Sequence, residues 1–357
     1  MFMLIRFIDA IQLALDEAMA KDDSVIVIGE GVPDPKNIFG STAGLLERYG
    51  AARVFDMPLS ENGMTGVCIG AALQGLKPVL IHQRIDFSLL GMDQLLNNAA
   101  KWHYMFNGLQ SVPMVVRVII GKGWGQGPQH SQALWGLYAQ VPGLKICLPT
   151  TATEARAMML KAIDDPNPVL FVEHRWLHHI ESEIENQTAY DIDLESAKVV
   201  CQGADISLAG WSYSVVELLN VSQALKKIGI EAEVIDLRVG HTLDKNTLMQ
   251  SINKTQAILI HDLHSEAQAP AYSVAAKLQQ WVGHQNCDYH IQVMAQPNHP
   301  VPTSWHLAQY AYTEAKEILN KVTEMLQLSE SDRLKAESFL SYSPKPDVPN
   351  LGFKGPF

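Results

Sequence analysis

Apolar residues recur at helical spacing across residues 7–21, with Ile8, Ile11, Leu15 and Met19 on one side, which predicts an amphipathic helix. Ser24-Val25-Ile26-Val27-Ile28-Gly29 then forms a short run without polar alternation, the pattern of a strand buried on both faces of a parallel sheet. A Gly/Pro/Asp loop follows over 31–36. The small-residue stretch after Glu61, containing Gly66, Gly70, Ala71 and Ala72, reads as a helix that ends near Gly75. Strand 78–82, helix 87–102 and strand 112–120 come next. A glycine-rich loop over 121–130, strand 144–148, helix 153–163 and strand 168–173 complete the first half.

A polar stretch at 178–186 breaks the alternation and reads as a linker or excursion. The alternation then resumes, with strands at 205–209, 232–237, 257–261 and 290–294. Helices are expected at 215–228, 245–253 and 271–281, and a long one at 307–326. Strands alternating with helices predict an α/β protein with parallel sheets covered on both faces. Two such domains are expected, over 1–190 and 191–328. Residues 329–357 carry Pro344, Pro346, Pro349 and Pro356 among polar residues and read as an extended tail.

Composition narrows the function classes. The 357 residues are long enough for two cores, and 47% hydrophobic with 18% charged residues describes a globular chain. A net charge of −11 argues against non-specific nucleic-acid binding, which needs clustered Lys and Arg. No apolar run reaches membrane-spanning length, and Met1-Phe2-Met3-Leu4-Ile5-Arg6 lacks the pattern of a secretory signal. Cys68, Cys147, Cys201 and Cys287 are dispersed and mostly in apolar contexts. They read as reduced core thiols, so a cytoplasmic location is expected.

Glu61 is the leading candidate for chemistry. It sits in Met57-Pro58-Leu59-Ser60-Glu61-Asn62-Gly63, a turn opening into a helix, where a half-buried carboxylate can exchange a proton with a ring nitrogen. The structural alternative is a first-turn carboxylate complementing the helix dipole. Phe87, opening a helix, is otherwise a core residue, and His130, in a Gly-Pro loop, is otherwise solvated. The glycine-rich loop lacks the Lys-Ser/Thr ending of a phosphate-binding P-loop. Glu173, His174, His178 and His179 suggest a metal site only weakly, because strand spacing does not bring such side chains together. Gly66 and Gly70, one turn apart, predict close helix packing at a subunit interface.

Several motifs occur together in a fixed order: Val27-Ile28-Gly29-Glu30, Arg53-Val54-Phe55-Asp56-Met57-Pro58-Leu59-Ser60-Glu61, Gly70-Ala71-Ala72-Leu73-Gln74-Gly75, Asp86-Phe87 with Met92-Asp93-Gln94, and Asn98-Ala99-Ala100-Lys101. Further along are Gln129-His130-Ser131-Gln132, Val141-Pro142-Gly143-Leu144-Lys145, Asn167-Pro168-Val169, Val234-Ile235-Asp236-Leu237-Arg238 and Pro300-Val301-Pro302. Over about residues 5–326 the chain resembles the beta subunit of the decarboxylating component of heterotetrameric 2-oxo acid dehydrogenases, in the transketolase-like group.

The resemblance implies a transketolase-like pyrimidine-binding domain followed by a transketolase C-terminal-like domain. It implies thiamine diphosphate as cofactor, with Glu61 on the N1′ nitrogen of its aminopyrimidine. That contact favours the tautomer whose nitrogen removes the thiazolium C2 proton. Phe87 matches the ring packed on the aminopyrimidine, and Glu30 an acid lining the cofactor cavity. His130 matches an active-site histidine facing substrate and lipoyl group. Ala162, Asp165 and Asn167 match a loop that binds a structural monovalent cation, K⁺, in some members. The Gly-Asp-Gly motif that holds diphosphate and Mg²⁺ is absent. The family architecture assigns it to a separate alpha subunit, in an alpha2-beta2 heterotetramer with a beta-beta dimer and a lipoyl acyltransferase as further partner.

Departures qualify the expectation. His261-Asp262-Leu263-His264-Ser265-Glu266-Ala267 replaces the usual His-Glu and Gly-Gly, Thr242 replaces a proline, the Gly123-Trp124-Gly125-Gln126-Gly127 loop differs, and the tail is extra. The leading expectation is oxidative decarboxylation of pyruvate or a similar 2-oxo acid with acyl transfer to a lipoyl group. The alternatives are a thiamine-diphosphate-dependent carboligase subunit and a non-catalytic binding partner.

Overall fold

The computed structural model describes residues 2–185, 193, 195–283, 287–343, 345 and 347–350. Two compact units emerge: Met1–Gly121 with Leu134–Leu194, and Lys122–Ala133 with Glu195–Phe357.

The first unit opens with β1 (Phe2–Arg6), α1 (Phe7–Lys21), β2 (Val25–Gly29), α2 (Leu45–Tyr49) and β3 (Val54–Phe55). It continues with α3 (Glu61–Leu73), β4 (Lys77–His82), α4 (Ile85–Ser88), α5 (Ala100–Met105) and β5 (Val115–Ile120). Last come α6 (Trp135–Ala139), β6 (Lys145–Cys147), α7 (Ala152–Asp164), β7 (Val169–His174) and β8 (Glu181–Glu185). Six strands form a parallel sheet in the order β3-β2-β4-β5-β7-β6. Every residue of β2, β5 and β7 is buried, as expected of strands covered on both faces. Helix α7 starts with a Thr151/Glu154 capping box and is tied to α1 by the Arg156–Glu17 ion pair at 2.8 Å.

Two expectations for this unit change. The helix over 87–102 is instead α4, a 3₁₀ turn (Leu89–Gly91), a π turn (Asp93–Ala99) and α5. The irregularity accommodates close contact with α3: a Cβ on Gly91 would lie 2.6 Å from Thr65 Oγ1. The excursion at 178–186 begins as a 3₁₀ turn (Arg175–His179) and then forms β8, which pairs antiparallel with β1, Ile5 opposite Ser182 and Met3 opposite Ile184. Ser182 and Ile184 are buried while Glu181 and Glu183 are exposed, a period of two that charge density disguised. Residue 186 lies outside the described residues.

The second unit contains β9 (Lys198–Cys201), β10 (Ile206–Gly210), α8 (Tyr213–Lys226), β11 (Ala232–Asp236) and α9 (Lys245–Thr255). It continues through β12 (Ala257–Ser265), α10 (Pro270–Val282), β13 (His290–Gln296), α11 (Trp305–Ala308), α12 (Ala315–Met325) and α13 (Glu330–Glu337). Its sheet runs β13-β12-β10-β11-β9, parallel except for the antiparallel edge strand β9. The long helix expected over 307–326 breaks between α11 and α12. Gln296 takes the Thr313 N–H at 2.7 Å and donates to Thr313 Oγ1 at 2.9 Å, and a Glu314/Glu317 capping box restarts the helix.

The expected extended tail is corrected most. Helix α13 buries Ala336, and Leu340 is also buried. Asn220 makes a reciprocal pair with the Ser341 backbone, at 2.8 and 2.9 Å. Residues 344, 346 and 351–357 lie outside the described residues. The cysteines also divide. Cys68 and Cys147 are buried and their thiols are pushed up to about 12 by burial, but Cys201 is half-buried and Cys287 exposed. All four are free thiols. Among the described residues no helix is long and apolar enough to cross a membrane.

Candidate active site

Strands β3 and β4 lie on opposite sides of β2, so the connections diverge there, and the carboxyl ends at such a switch point are the usual ligand position in an open parallel sheet. Glu30 follows β2 directly. Glu61 begins α3 after β3, and Phe87 lies in α4 after β4. The topology therefore brings these three predicted residues to one edge.

The Glu61 side chain is buried, with 7% of the residue exposed. Its helix turn is fixed from below: Thr65 Oγ1 donates to the Glu61 carbonyl at 2.7 Å, and Gly91 lets the 3₁₀ turn approach that carbonyl. Among the described residues no side-chain hydrogen bond or ion pair holds the Glu61 carboxylate. Glu30 Oε1 is buried and has no hydrogen-bond partner among them. Burial first, then the charges of Glu61 and Asp56, raise the Glu30 pKa, as mutual repulsion of nearby carboxylates requires. Sequence reasoning missed two supports of this pair. Asp56 accepts the Gly31 N–H at 3.0 Å, and Gln83 Nε2 donates to the Glu30 carbonyl at 3.1 Å. Asp56 was visible as an acid just before the Glu61 turn; Gln83 carried no signal.

Phe87 is half-buried. Its N–H bonds the carbonyl of Arg84 at 3.2 Å, and the Arg84 guanidinium is buried and pushed down to about 10, by burial first and then by Arg175. Arg175, following β7, stacks its guanidinium 4.3 Å from the Phe39 ring centroid. Beneath this edge, Arg117 on β5 and Glu173 on β7 form a fully buried ion pair, and His178 Nε2 donates to Glu173 at 2.9 Å. Arg117 also donates to Ser41 Oγ at 2.6 Å. Burial pushes His178 down to about 4, so it is a neutral donor to an ionised Glu173. The 3₁₀ turn thus unites Glu173 and His178, which strand spacing had separated, but as an ion network. Among the described residues no group of three His, Cys, Asp or Glu side chains is placed to hold a metal.

Ala162 is buried in α7, with Asp165 and Asn167 just beyond it. Asp165 accepts Lys145 Nζ at 2.6 Å and the Asn167 N–H at 2.9 Å. A lysine ammonium already neutralises the carboxylate, so the set does not fit a further cation. Gly66 has Gln94 at 3.6 Å from a built Cβ, while Gly70 faces open space; the close packing expected at this pair is not made within the chain.

His130 belongs to the second unit, at the end of a 3₁₀ turn (Pro128–His130). Its Nδ1 lies 3.3 Å from the Gln126 carbonyl, so that nitrogen carries a proton and donates it there. Lys122 Nζ pairs with Glu314 at 2.9 Å and sits 3.8 Å from the Tyr312 ring centroid. The alternation of elements placed this segment in the first half. Its contacts with Thr303, Tyr312, Glu314 and Asp347 draw it into the second unit.

The aminopyrimidine of thiamine diphosphate presents a ring nitrogen and an amino group to its binding site. A buried carboxylate without a partner, a second one with an orphaned oxygen, and an aromatic side chain fit that chemistry.

Residues 4–179 match the transketolase pyrimidine-binding domain and residues 195–318 the transketolase C-terminal domain. The chain is 35% identical over 318 residues to the mitochondrial pyruvate dehydrogenase E1 component subunit beta-2 of Oryza sativa subsp. japonica, covering 87% of this chain and 83% of that one. It is 35% identical to the mitochondrial subunit beta of Saccharomyces cerevisiae, covering 90% and 88%. It is 36% identical to the acetoin:2,6-dichlorophenolindophenol oxidoreductase subunit beta of Cupriavidus necator, covering 83% and 89%. A solved split-gene transketolase, described as an inactive beta4 tetramer, superposes with a TM-score of 0.65 at 17% identity, covering 98% of this chain and 99% of the other, a likeness of fold. The chain therefore belongs to the family of beta subunits of thiamine-diphosphate-dependent 2-oxo acid dehydrogenases, which includes the pyruvate dehydrogenase beta subunits.

Proposed function

We propose that this chain is the beta subunit of a 2-oxo acid dehydrogenase that decarboxylates its substrate oxidatively and passes the acyl group to a lipoyl group. The carrying observation is the buried Glu61 carboxylate beside the orphaned oxygen of Glu30, at the switch point that also holds Phe87. Thiamine diphosphate, when bound, supplies the electron sink that allows the bond between keto carbon and carboxylate to break. Glu61 holds or returns the proton at the ring nitrogen, and burial excludes the water that would compete for it. Phe87 offers a flat apolar face to a flat heterocycle. Arg84 and Arg175 bring positive charge to the same sheet edge, which suits a substrate arriving as an anion.

The proposal includes an alpha subunit that carries the diphosphate and Mg²⁺, because the chain lacks a Gly-Asp-Gly motif. It also includes assembly as alpha2-beta2 with a beta-beta contact, and a lipoyl acyltransferase as acceptor. The exposed face of α3, with Val67 57% exposed and Gly70 open, and the neighbouring Leu59 at 81%, supports a covered subunit surface. A monovalent cation is left out, since Lys145 occupies Asp165.

A second reading, a reaction on acetoin, is favoured by the 36% identity to the acetoin oxidoreductase subunit. The test is the co-expressed alpha-beta complex assayed with pyruvate and with acetoin, using a lipoyl domain or 2,6-dichlorophenolindophenol as acceptor. Glu61→Gln is expected to slow C2 hydrogen exchange of bound cofactor by about two orders of magnitude or more. Unchanged exchange would refute the role of Glu61. Tight binding of thiamine diphosphate and Mg²⁺ by the beta chain alone would refute the shared site.

A further inference from the structure

Residues 329–343 are not an appendage. Arg333 on α13 is bonded to Glu330, Glu337 and Asn320, and Lys316 on α12 pairs with Glu337 at 2.7 Å. Ser341 is gripped by Asn220 through both backbone groups, and Asn350 Nδ2 reaches back to Ser341 Oγ at 2.9 Å. Ser341 and Asn350 are therefore both held, and Asp347 lies between them in sequence.

Asp347 is 5% exposed and has a left-handed backbone, φ 61°, a conformation that a non-glycine residue keeps only when its surroundings determine it. Its carbonyl accepts the Trp124 N–H at 2.8 Å, and its Oδ2 accepts the Gly125 N–H at 2.8 Å. Its Oδ1 accepts the Tyr312 hydroxyl at 3.0 Å. Two successive amides of the glycine-rich loop thus converge on one residue of the C-terminal segment, one on its carbonyl and one on its carboxylate.

The loop is one that needs holding. Trp124 has φ 55°, Gly125 φ 67° and Gly127 φ 70°. Three left-handed residues in four make a turn that the backbone disfavours for Trp124 without compensation. The turn closes through Gln126 N–H to the Gly123 carbonyl at 3.2 Å, and on its far side Thr303 Oγ1 would lie 2.7 Å from a Cβ on Gly127. From the same turn the Gln126 carbonyl accepts from His130 Nδ1 at 3.3 Å. The path from Asp347 to the imidazole is therefore two amides, one turn and one carbonyl, all within the second unit.

We propose that Asp347 is a positioning residue for the reaction: it holds the Gly123–Gln126 turn in the form whose carbonyl sets the orientation and tautomer of His130. This rests on the reading of His130 as a group that exchanges a proton with substrate or lipoyl group. The segment acts on the histidine through the loop backbone and does not touch the reacting atoms.

The test uses the full chain assembled with its alpha subunit. Asp347→Ala is expected to lower kcat for lipoyl acylation by about tenfold with little change in KM, because a misoriented imidazole affects the step and not substrate capture. Asp347→Asn, which keeps an acceptor for one amide, should recover part of the loss. In His130→Ala the added Asp347→Ala change should cost nothing further, since the two act in one chain. Full kcat in Asp347→Ala, or a loss that simply multiplies with that of His130→Ala, would overturn the proposal. Hydrogen exchange over residues 122–130 separates this from the role of His130. Asp347→Ala should speed exchange there about tenfold or more while peptides of β10 and β12 stay protected. Unchanged exchange overturns the clamp whatever the kinetics. If His130→Ala keeps full activity while exchange does accelerate, it is the reading of His130 that has failed.

Discussion

Glu217→Gln is expected to stabilise the protein, and to do so only at neutral and alkaline pH. Glu217 is buried on α8, and its Oε2 accepts the Ala315 N–H at 2.9 Å where α12 begins. Burial, and next the charge of Glu314, raise its pKa from 4.5 to about 7; Lys122 and the Ala315 amide oppose this without cancelling it. A carboxyl group with a folded pKa above its unfolded one is kept protonated by the fold. Its contribution is intact below about 4.5 and is lost as pH rises through about 7. A displacement of that size, at 1.36 kcal/mol per pKa unit, amounts to about 3 kcal/mol by pH 8 and under about 1 kcal/mol at pH 5. Glutamine keeps an acceptor for the Ala315 amide and cannot ionise. Melting of the assembled wild-type and variant complexes at the two pH values reads the difference directly. At roughly 2–4 °C per kcal/mol for a domain of this size, the variant should melt several degrees higher at pH 8 and nearly level at pH 5. An equal shift at both pH values would refute the reasoning. So would destabilisation at pH 8, which would mean that Lys122 neutralises an ionised Glu217.

The acid side has the opposite sign. His82, His178 and His261 are each pushed down to about 4 by burial. Stability they confer is complete above about 6.5 and lost as pH falls toward 4, and potentiometric titration of unfolding in that window should lose about one proton of uptake in His178→Gln. Arg117→Met leaves Glu173 ionised and fully buried beside a neutral His178, and should cost about 3–5 kcal/mol in chemical denaturation; a cost under about 1 kcal/mol would show that the pair is not desolvated. Gly143 has φ 94°, and a Cβ there would run into the Ala100 carbonyl oxygen. Gly143→Ala should therefore lower the melting temperature by several degrees, and by clearly more than Gly75→Ala, which shares the left-handed backbone at φ 92° but whose Cβ meets nothing within 4 Å. Phe87→Ala should weaken thiamine diphosphate binding to the complex by about tenfold by calorimetry, with the melting temperature of the unliganded complex little changed.

Much of the fold was legible in pattern alone. Unbroken apolar runs such as Val25–Gly29 are buried at every position, because a strand covered on both faces has no reason to alternate. The order of motifs around Glu30, Glu61 and Phe87 marked the edge on which they lie, since each follows a parallel strand and carboxyl ends of parallel strands share one side. Pattern failed where the partner is remote. Glu181–Glu185 read as a polar linker because its partner strand is at the other end of the unit's sequence. Nothing local shows that Glu173 meets Arg117 and His178, that burial raises the Glu217 pKa, or that Asp347 meets the glycine-rich loop. Periodicity and local motif are set by neighbours along the chain, so strands, helices and the Glu61 turn could be read from them. Burial, charge pairing and the loop beside Asp347 depend on groups that meet only after packing, when desolvation and short-range hydrogen bonds take effect, and those the tertiary structure alone decided.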